Sequence, residues 1–357
     1  MAKGFDPIEL GEKLRKKLIK GDKVMLANFG KTLQAKDSFR AGKIESDYFR
    51  IKKYRKPGKK DYFEGEPAGI ASVKLGIFKE ECNTVFLAQV NACNLRCWYC
   101  YVDEKNLQAN PVYGKWITAD EMLYYFLTVS RLTQHAKDPN DRVNILRLSG
   151  GEAFLNPKLI YDTVQSIKKI AGLEKKLYLW ADCNLATGDF FWKYLTRKQI
   201  DEIRNFKNLG ICVCYKGFDK ESFHYNTGAQ PKFFNQQFLM HRRLIEEDFD
   251  VYSYIYPVSI FSATDLERID EISIEYLVQK MDTFIRRLQK NVSYYAPLRV
   301  TLPYIKEYEA NKSEISPRRK KIIELQPVIK NLWEQIIAEK YRYCNYRKLS
   351  LHQIPTL

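Results

Sequence analysis

From about residue 83 onward, short apolar runs alternate with longer stretches whose apolar residues recur at helical spacing. The runs at 84–90, 144–149, 177–183, 210–215, 252–257 and 298–302 read as strands. Between them, 119–133, 157–171, 192–205, 236–248 and 273–290 read as helices. Every crossover is long enough for a helix, so the order βαβαβαβαβαβ implies a parallel sheet with right-handed connections. Six units fall short of the eight that close a barrel. The pattern therefore predicts an α/β fold, a partial (β/α)6 TIM-like barrel, with its site where the loops leave the C-terminal ends of the strands.

The flanks read differently. Residues 7–20 space Ile8, Leu10, Leu14 and Leu18 along one face of a short helix. Residues 50–62 are basic, broken by Pro57 and Gly58, and read as a surface loop or arm. A long helix over about 317–341 closes the chain. Three parts follow: a basic N-terminal extension (1–80), the partial barrel (81–305) and a basic helical C-terminal extension (306–357).

Charge sharpens this division. The net charge is +16 over 357 residues. Residues 1–80 carry 20 basic and 11 acidic side chains, and residues 306–357 carry 11 and 6, so the barrel region is almost neutral. Seven Lys or Arg crowd into 50–60 beside Tyr54, and 341–348 repeats the style. Cations interleaved with aromatics suit RNA; an ordinary solvated surface is the alternative, and an acidic protein partner would fit as well. No apolar run is long enough to cross a bilayer, so no membrane role is expected. The first residues lack the apolar core of an export signal, which predicts a cytoplasmic protein.

The eight cysteines are unevenly placed: three lie in Cys93-Asn-Leu-Arg-Cys97-Trp-Tyr-Cys100, directly after the first barrel strand. That is a metal-site distribution rather than a disulfide framework. Three thiolates at C-x3-C-x2-C can hold three irons of a cubane cluster, leaving one iron open because a fourth cysteine at matching spacing is missing. A zinc site that borrows Cys82 or a distant His would use the same triplet. Cys82, Cys183 and Cys344 fit no second cluster.

The triplet, with aromatic Tyr99 before Cys100, resembles the signature of the radical S-adenosylmethionine (radical SAM) superfamily. The second strand strengthens the resemblance, because it ends in Ser149-Gly150-Gly151-Glu152 on the expected side of the barrel. The resemblance implies a [4Fe–4S] cluster held by Cys93, Cys97 and Cys100, with S-adenosylmethionine chelating the open iron. One electron from the cluster then yields methionine and a 5′-deoxyadenosyl radical that abstracts hydrogen from a substrate. It further implies that Gly150, Gly151 and Glu152 meet the cofactor's ammonium, and that Asn184 or Asp182 reaches its ribose or carboxylate. Lys216 would pair with that carboxylate, and Tyr99 would line the cofactor.

The stretch from Lys216 to Thr227-Gly228 is similar to the subgroup of glycyl-radical activating enzymes, which favours a protein substrate; the basic flanks favour tRNA or a nucleotide. An electron donor of flavodoxin or ferredoxin type is implied in either case. A non-catalytic iron–sulfur or zinc protein on the same barrel is the reading from another class. Cys212, Cys214 and Lys216 share a strand face by period-2 alternation. Arg147 would also face the interior and need an anionic partner. His224 reads as a loop or helix residue that could line substrate.

Overall fold

A computed structural model of the chain describes residues 4–36, 47–53, 67–292, 296–303 and 315–340. Asp6 starts helix α1 (Pro7–Leu18) by accepting the amides of Ile8 and Glu9 at 2.8 and 3.1 Å. Strands β1 (Ile19–Lys20), β2 (Lys23–Ala27) and β3 (Phe49–Lys53), helix α2 (Pro67–Leu75), β4 (Thr84–Ala88) and β5 (Gly114–Ile117) follow. The alternating part runs α3 (Ala119–Thr133), β6 (Val143–Leu148), α4 (Pro157–Lys168), β7 (Tyr178–Cys183), α5 (Phe190–Lys193), α6 (Arg197–Arg204) and β8 (Leu209–Tyr215). It continues through α7 (Lys220–Thr227), α8 (Gln236–Glu246), β9 (Val251–Ile255), α9 (Ala263–Glu267), α10 (Ile274–Asn291), α11 (Ala296–Arg299) and β10 (Val300–Thr301). Helices α12 (Pro317–Glu324) and α13 (Gln326–Lys340) end the described chain.

Strands β4, β6, β7, β8, β9 and β10 lie side by side and parallel, which makes the partial (β/α)6 barrel the spacing predicts. β3 pairs antiparallel with β4 and extends the sheet at that edge. A small antiparallel sheet, β1-β2-β5, is stitched to the exit of β4: Ala27 N–H donates to Gln89 O at 2.8 Å and Asn91 N–H to Met25 O at 3.0 Å.

Local features depart from the sequence reading. Residues 50–53 are strand, not loop. Phe49 is fully buried against Phe86 and Tyr125, at ring distances of 5.0 and 4.9 Å, and Arg50 lies over the Phe29 ring. The lysines that follow hide this edge strand in the sequence; residues 54–62 fall outside the described chain, as do 341–348. The 192–205 helix is two helices, because Thr196 and Gln199 form a capping box that starts α6 afresh. The closing helix is likewise divided at Leu325.

Alternation along the strands gives the sheet two faces. Phe86, Leu146, Leu179, Ile211 and Val251 belong to the large core shared with the helices. On the inner face, Val85, Ile145, Tyr178, Trp180, Cys212 and Tyr252 form a second core with Ala71 of α2 and Cys82. Gly210 makes room there, since a Cβ would lie 2.1 Å from the Tyr178 hydroxyl. Helix α2, absent from the sequence reading, closes the N-terminal end of this face. Its Lys74 ammonium is 2.7 Å from the Asp250 carboxylate and donates to Lys207 O at 2.9 Å. Both side chains of the pair are largely buried (9% and 15% exposed), so without Lys74 the Asp250 carboxylate keeps the Tyr252 hydroxyl at 2.9 Å but loses its counter-charge. Lys74→Met is expected to destabilise the protein by about 2–4 kcal/mol, read as a lower midpoint in urea unfolding at unchanged m-value.

Candidate active site

The loop after β4 carries the three cysteines across the C-terminal end of the sheet. Backbone contacts fix its course: Cys93 N–H donates to Leu107 O, Arg96 N–H to Thr227 O and Trp98 N–H to Asn226 O, at 3.0–3.2 Å. Cys93, Cys97 and Cys100 are half-buried, and none is in a disulfide. Burial pushes the Cys93 thiol up to about 11, with Glu152 and Cys100 adding to it. Burial also raises Cys97, which Lys216 only partly offsets. Without metal these groups are therefore held as thiols, and a bound cation is what would ionise them.

Among the described residues, no three His, Cys, Asp or Glu side chains converge on a single-ion site. Cys82, which a zinc site would have to borrow, is buried beside Ala71 and Val85, before the start of β4 and away from the loop. Three separate thiols on one loop fit a multi-iron cluster with an open position better than they fit a closed zinc cage.

The turn after β6 presses against this loop. Gly150 and Gly151 have φ of 82° and 69°, a region that favours glycine. A Cβ on Gly151 would lie 2.0 Å from Val90 O and 2.6 Å from Ala92 O, and one on Gly150 would lie 2.4 Å from Gln89 Oε1. The close approach these glycines permit is to the cysteine loop itself. Glu152 N–H donates to Ala92 O at 2.7 Å.

The Glu152 carboxylate is 1% exposed and pins two loops: Oε1 accepts from Phe154 N–H at 2.9 Å and Oε2 from Asn184 N–H at 2.7 Å. Burial outweighs these bonds and lifts its pKa to about 8. Between the ordinary value of 4.5 and about 8, the folded metal-free protein holds a proton that the unfolded chain releases. This residue's contribution to stability should therefore fall as pH rises through that window, and Glu152→Ala should flatten the corresponding slope in urea unfolding of metal-free protein.

Asn184, at the exit of β7, accepts from Ala186 N–H at 2.9 Å. Its amide donates to Asn94 Oδ1 at 2.8 Å and to Cys93 Sγ at 3.5 Å. Asp182 faces Arg147 at 2.7 Å and also accepts from the Ser149 hydroxyl, so the interior Arg147 has a barrel acid as its partner. Its guanidinium lies 3.9 Å from the Trp180 ring centroid. At the exit of β8, Lys216 Nζ is 3.0 Å from Cys214 Sγ. Burial disfavours the Lys216 ammonium, but Cys214, Cys97 and Tyr99 more than reverse this and hold its pKa well above the usual amine range. The Tyr99 hydroxyl is 2.8 Å from Ser259 Oγ, and its ring meets Trp98 and Tyr256 edge-on.

The sequence-derived residues thus meet around one mouth of the sheet. His224 does not take part through its Nδ1, which pairs with Ala229 O at 2.7 Å at the end of α7. Sequence reasoning missed the supports. Asn94 ties the loop to Pro7 O and Ala186 O at 3.1 and 2.8 Å. Buried Gln34, Gln89 and Asn106 interlock their amides beneath the loop at 2.8–3.1 Å. Scattered over more than seventy residues with no shared spacing, these amides leave no signal in the sequence.

No curated protein sequence matches the chain. Among solved structures it is similar to TYW1 with a lysine-pyruvate adduct bound (12% identity, 70% of this chain, 86% of that one, TM-score 0.38). It is also similar to Streptococcus suis SuiB bound to precursor peptide SuiA (11%, 72% and 46%, 0.40) and to HydG, a maturase of the [FeFe]-hydrogenase (14%, 93% and 65%, 0.41). The chain thus spans less than half of SuiB and just under two thirds of HydG. The family match spans residues 89–271, just over half of the chain, from the exit of β4 to beyond α9. On that match the chain belongs to the radical SAM superfamily, whose enzymes use a [4Fe–4S] cluster and S-adenosylmethionine.

Proposed function

We propose that the protein cleaves S-adenosylmethionine reductively and uses the resulting radical on a substrate bound over the inner face of the sheet, with residues 81–305 as the catalytic body. The observation that carries this is the trio of cysteines on the β4 loop, none in a disulfide, set between Asn184 and Lys216. When bound, the reduced cluster would supply one electron to the cofactor's sulfur–C5′ bond, giving methionine and a 5′-deoxyadenosyl radical that could take a hydrogen atom from substrate.

Cys93, Cys97 and Cys100 would hold three irons. The carbonyls of the Gly150-Gly151 turn would accept from the cofactor's ammonium, because both Glu152 oxygens already accept backbone amides. Asn184 and Lys216 would orient its polar end, Lys216 as a cation facing a carboxylate. Tyr99 would wall the cofactor while staying tethered to Ser259. The test is anaerobic reconstitution and reduction with dithionite: 5′-deoxyadenosine and methionine should form in equal amounts. Intact S-adenosylmethionine over a reduced cluster would refute the reading.

A protein or peptide substrate rests on the likeness of the stretch from Lys216 to Gly228 to activating enzymes, and would appear as deuterium moving from a labelled partner into 5′-deoxyadenosine. A second reading, RNA, is favoured by a surface cavity of about 450 Å³ lined by Lys20, Lys23, Lys115, Tyr48 and Trp116. It predicts salt-sensitive quenching of Trp116 fluorescence by single-stranded oligonucleotides.

A further inference from the structure

We infer that the outer wall of the cysteine loop, where α12 covers Trp98, is the docking surface for a small acidic one-electron carrier of flavodoxin type. The inference rests on the radical reading of the site, which requires an electron to reach the cysteine loop while cofactor and substrate fill its inner side. The electron must then come from outside. On that side Trp98, which follows Cys97 directly, is buried at 6% exposure and forms part of the loop's outer wall. Its ring lies 5.4 Å from that of Tyr99 and 6.3 Å from that of Tyr225.

Helix α12 lies over this indole. The Arg319 guanidinium is 5.0 Å from the Trp98 centroid and 5.9 Å from that of Tyr225, and its Nε donates to the Tyr225 hydroxyl at 3.3 Å. Arg319 is thereby fixed, while its neighbours Arg318 and Lys320 are exposed. Lys321 is held by Asp270. Two unlike roles thus sit in four consecutive cations: Arg319 and Lys321 anchor the helix, and Arg318 and Lys320 are exposed on the helix that covers Trp98, the neighbour of Cys97.

Electron-transfer encounters are small and charge-steered, which is what such a patch supplies. In the step itself the carrier loses one electron and the cluster gains one; no bond or proton changes.

The test compares reduction of the reconstituted enzyme by reduced flavodoxin and by dithionite, following bleaching of the cluster absorbance in stopped flow. Reversing Arg318 and Lys320 together to Glu, which leaves both anchoring cations in place, should slow reduction by flavodoxin about 10- to 100-fold at low salt. The wild-type rate should fall with ionic strength, and the variant should lose that dependence. Reduction by dithionite, which needs no docking, should be unchanged. An unaltered flavodoxin rate, or an equal loss with dithionite, would overturn the docking surface. Failure of the radical reading looks different: wild-type protein reduced by dithionite would leave S-adenosylmethionine uncut, whatever α12 does.

Discussion

Serine in place of Cys93, Cys97 or Cys100 is expected to lower reductive cleavage of S-adenosylmethionine by about a thousandfold or more, roughly 4 kcal/mol of barrier. Burial already holds the Cys93 thiol near 11 and raises Cys97 further, so ionisation depends on the metal and on three ligands acting together. A serine hydroxyl is a far weaker acid than a thiol and a harder ligand, so one replacement removes a corner of the cage. The fold should barely notice. The loop is held chiefly by the Leu107, Thr227 and Asn226 carbonyls and by Asn94; Cys93 Sγ also accepts from Leu95 N–H and the Asn184 amide, long contacts that a serine oxygen can replace. Metal-free variants should therefore unfold within about 0.5 kcal/mol of wild type.

Cys82→Ser supplies the contrast. It buries a hydroxyl among Ala71 and Val85, and should cost about 1–3 kcal/mol of stability while sparing cleavage and iron content. Iron counts, cleavage rates and urea midpoints on the four variants separate a three-thiol cluster from a zinc cage that borrows Cys82. Loss of metal from the Cys82 variant would sink the cluster assignment.

The six parallel strands were legible because each is a short apolar run followed by a stretch of helical period, and buried parallel strands look that way from sequence. The cysteine loop and the Gly150-Gly151-Glu152 turn were legible for another reason: their residue types are scarce and their spacing is short. What escaped was whatever depends on distance in the chain. β3 could not be recognised, because an edge strand that alternates Phe49 with Arg50 and runs into lysines has the composition of a loop. Helix α2 left little periodic signal, since Pro67–Leu75 is short, small-sided and apolar on several faces. Glu152 does lie at the exit of the second parallel strand, but its engagement with Phe154 and Asn184 could not be foreseen: one of those amides lies two residues away and the other just past the next strand. The same holds for Lys216, whose contact with Cys214 follows from alternation while its exposure to Cys97 follows from how the loop crosses the sheet.

The second large effect is expected at Gly151, and three glycines with similar backbones allow its causes to be separated. Gly172 has φ of 75° with nothing within 4 Å of an added Cβ, so Gly172→Ala measures the left-handed backbone alone, about 1 kcal/mol. Gly150 adds a collision at 2.4 Å with Gln89 Oε1. That amide can shift, but only by disturbing its bonds with Gln34, so Gly150→Ala should cost about 2 kcal/mol.

At Gly151 the obstacles are two backbone carbonyls, at 2.0 and 2.6 Å, and neither can yield alone. Val90 is bridged to Leu26 of β2, and Ala92 O takes the Glu152 amide. Relief must come from moving the whole turn away from the cysteine loop, which also drags the Glu152 carboxylate from the Asn184 amide. Gly151→Ala should therefore cost about 3–5 kcal/mol and lower cleavage at least about tenfold even in the folded fraction. Urea unfolding of the three metal-free variants tests the order 172, 150, 151. If Gly151→Ala proved no worse than Gly172→Ala, the turn would not be packed on the cysteine loop as described, and its carbonyls could not be held where the cofactor's ammonium needs them.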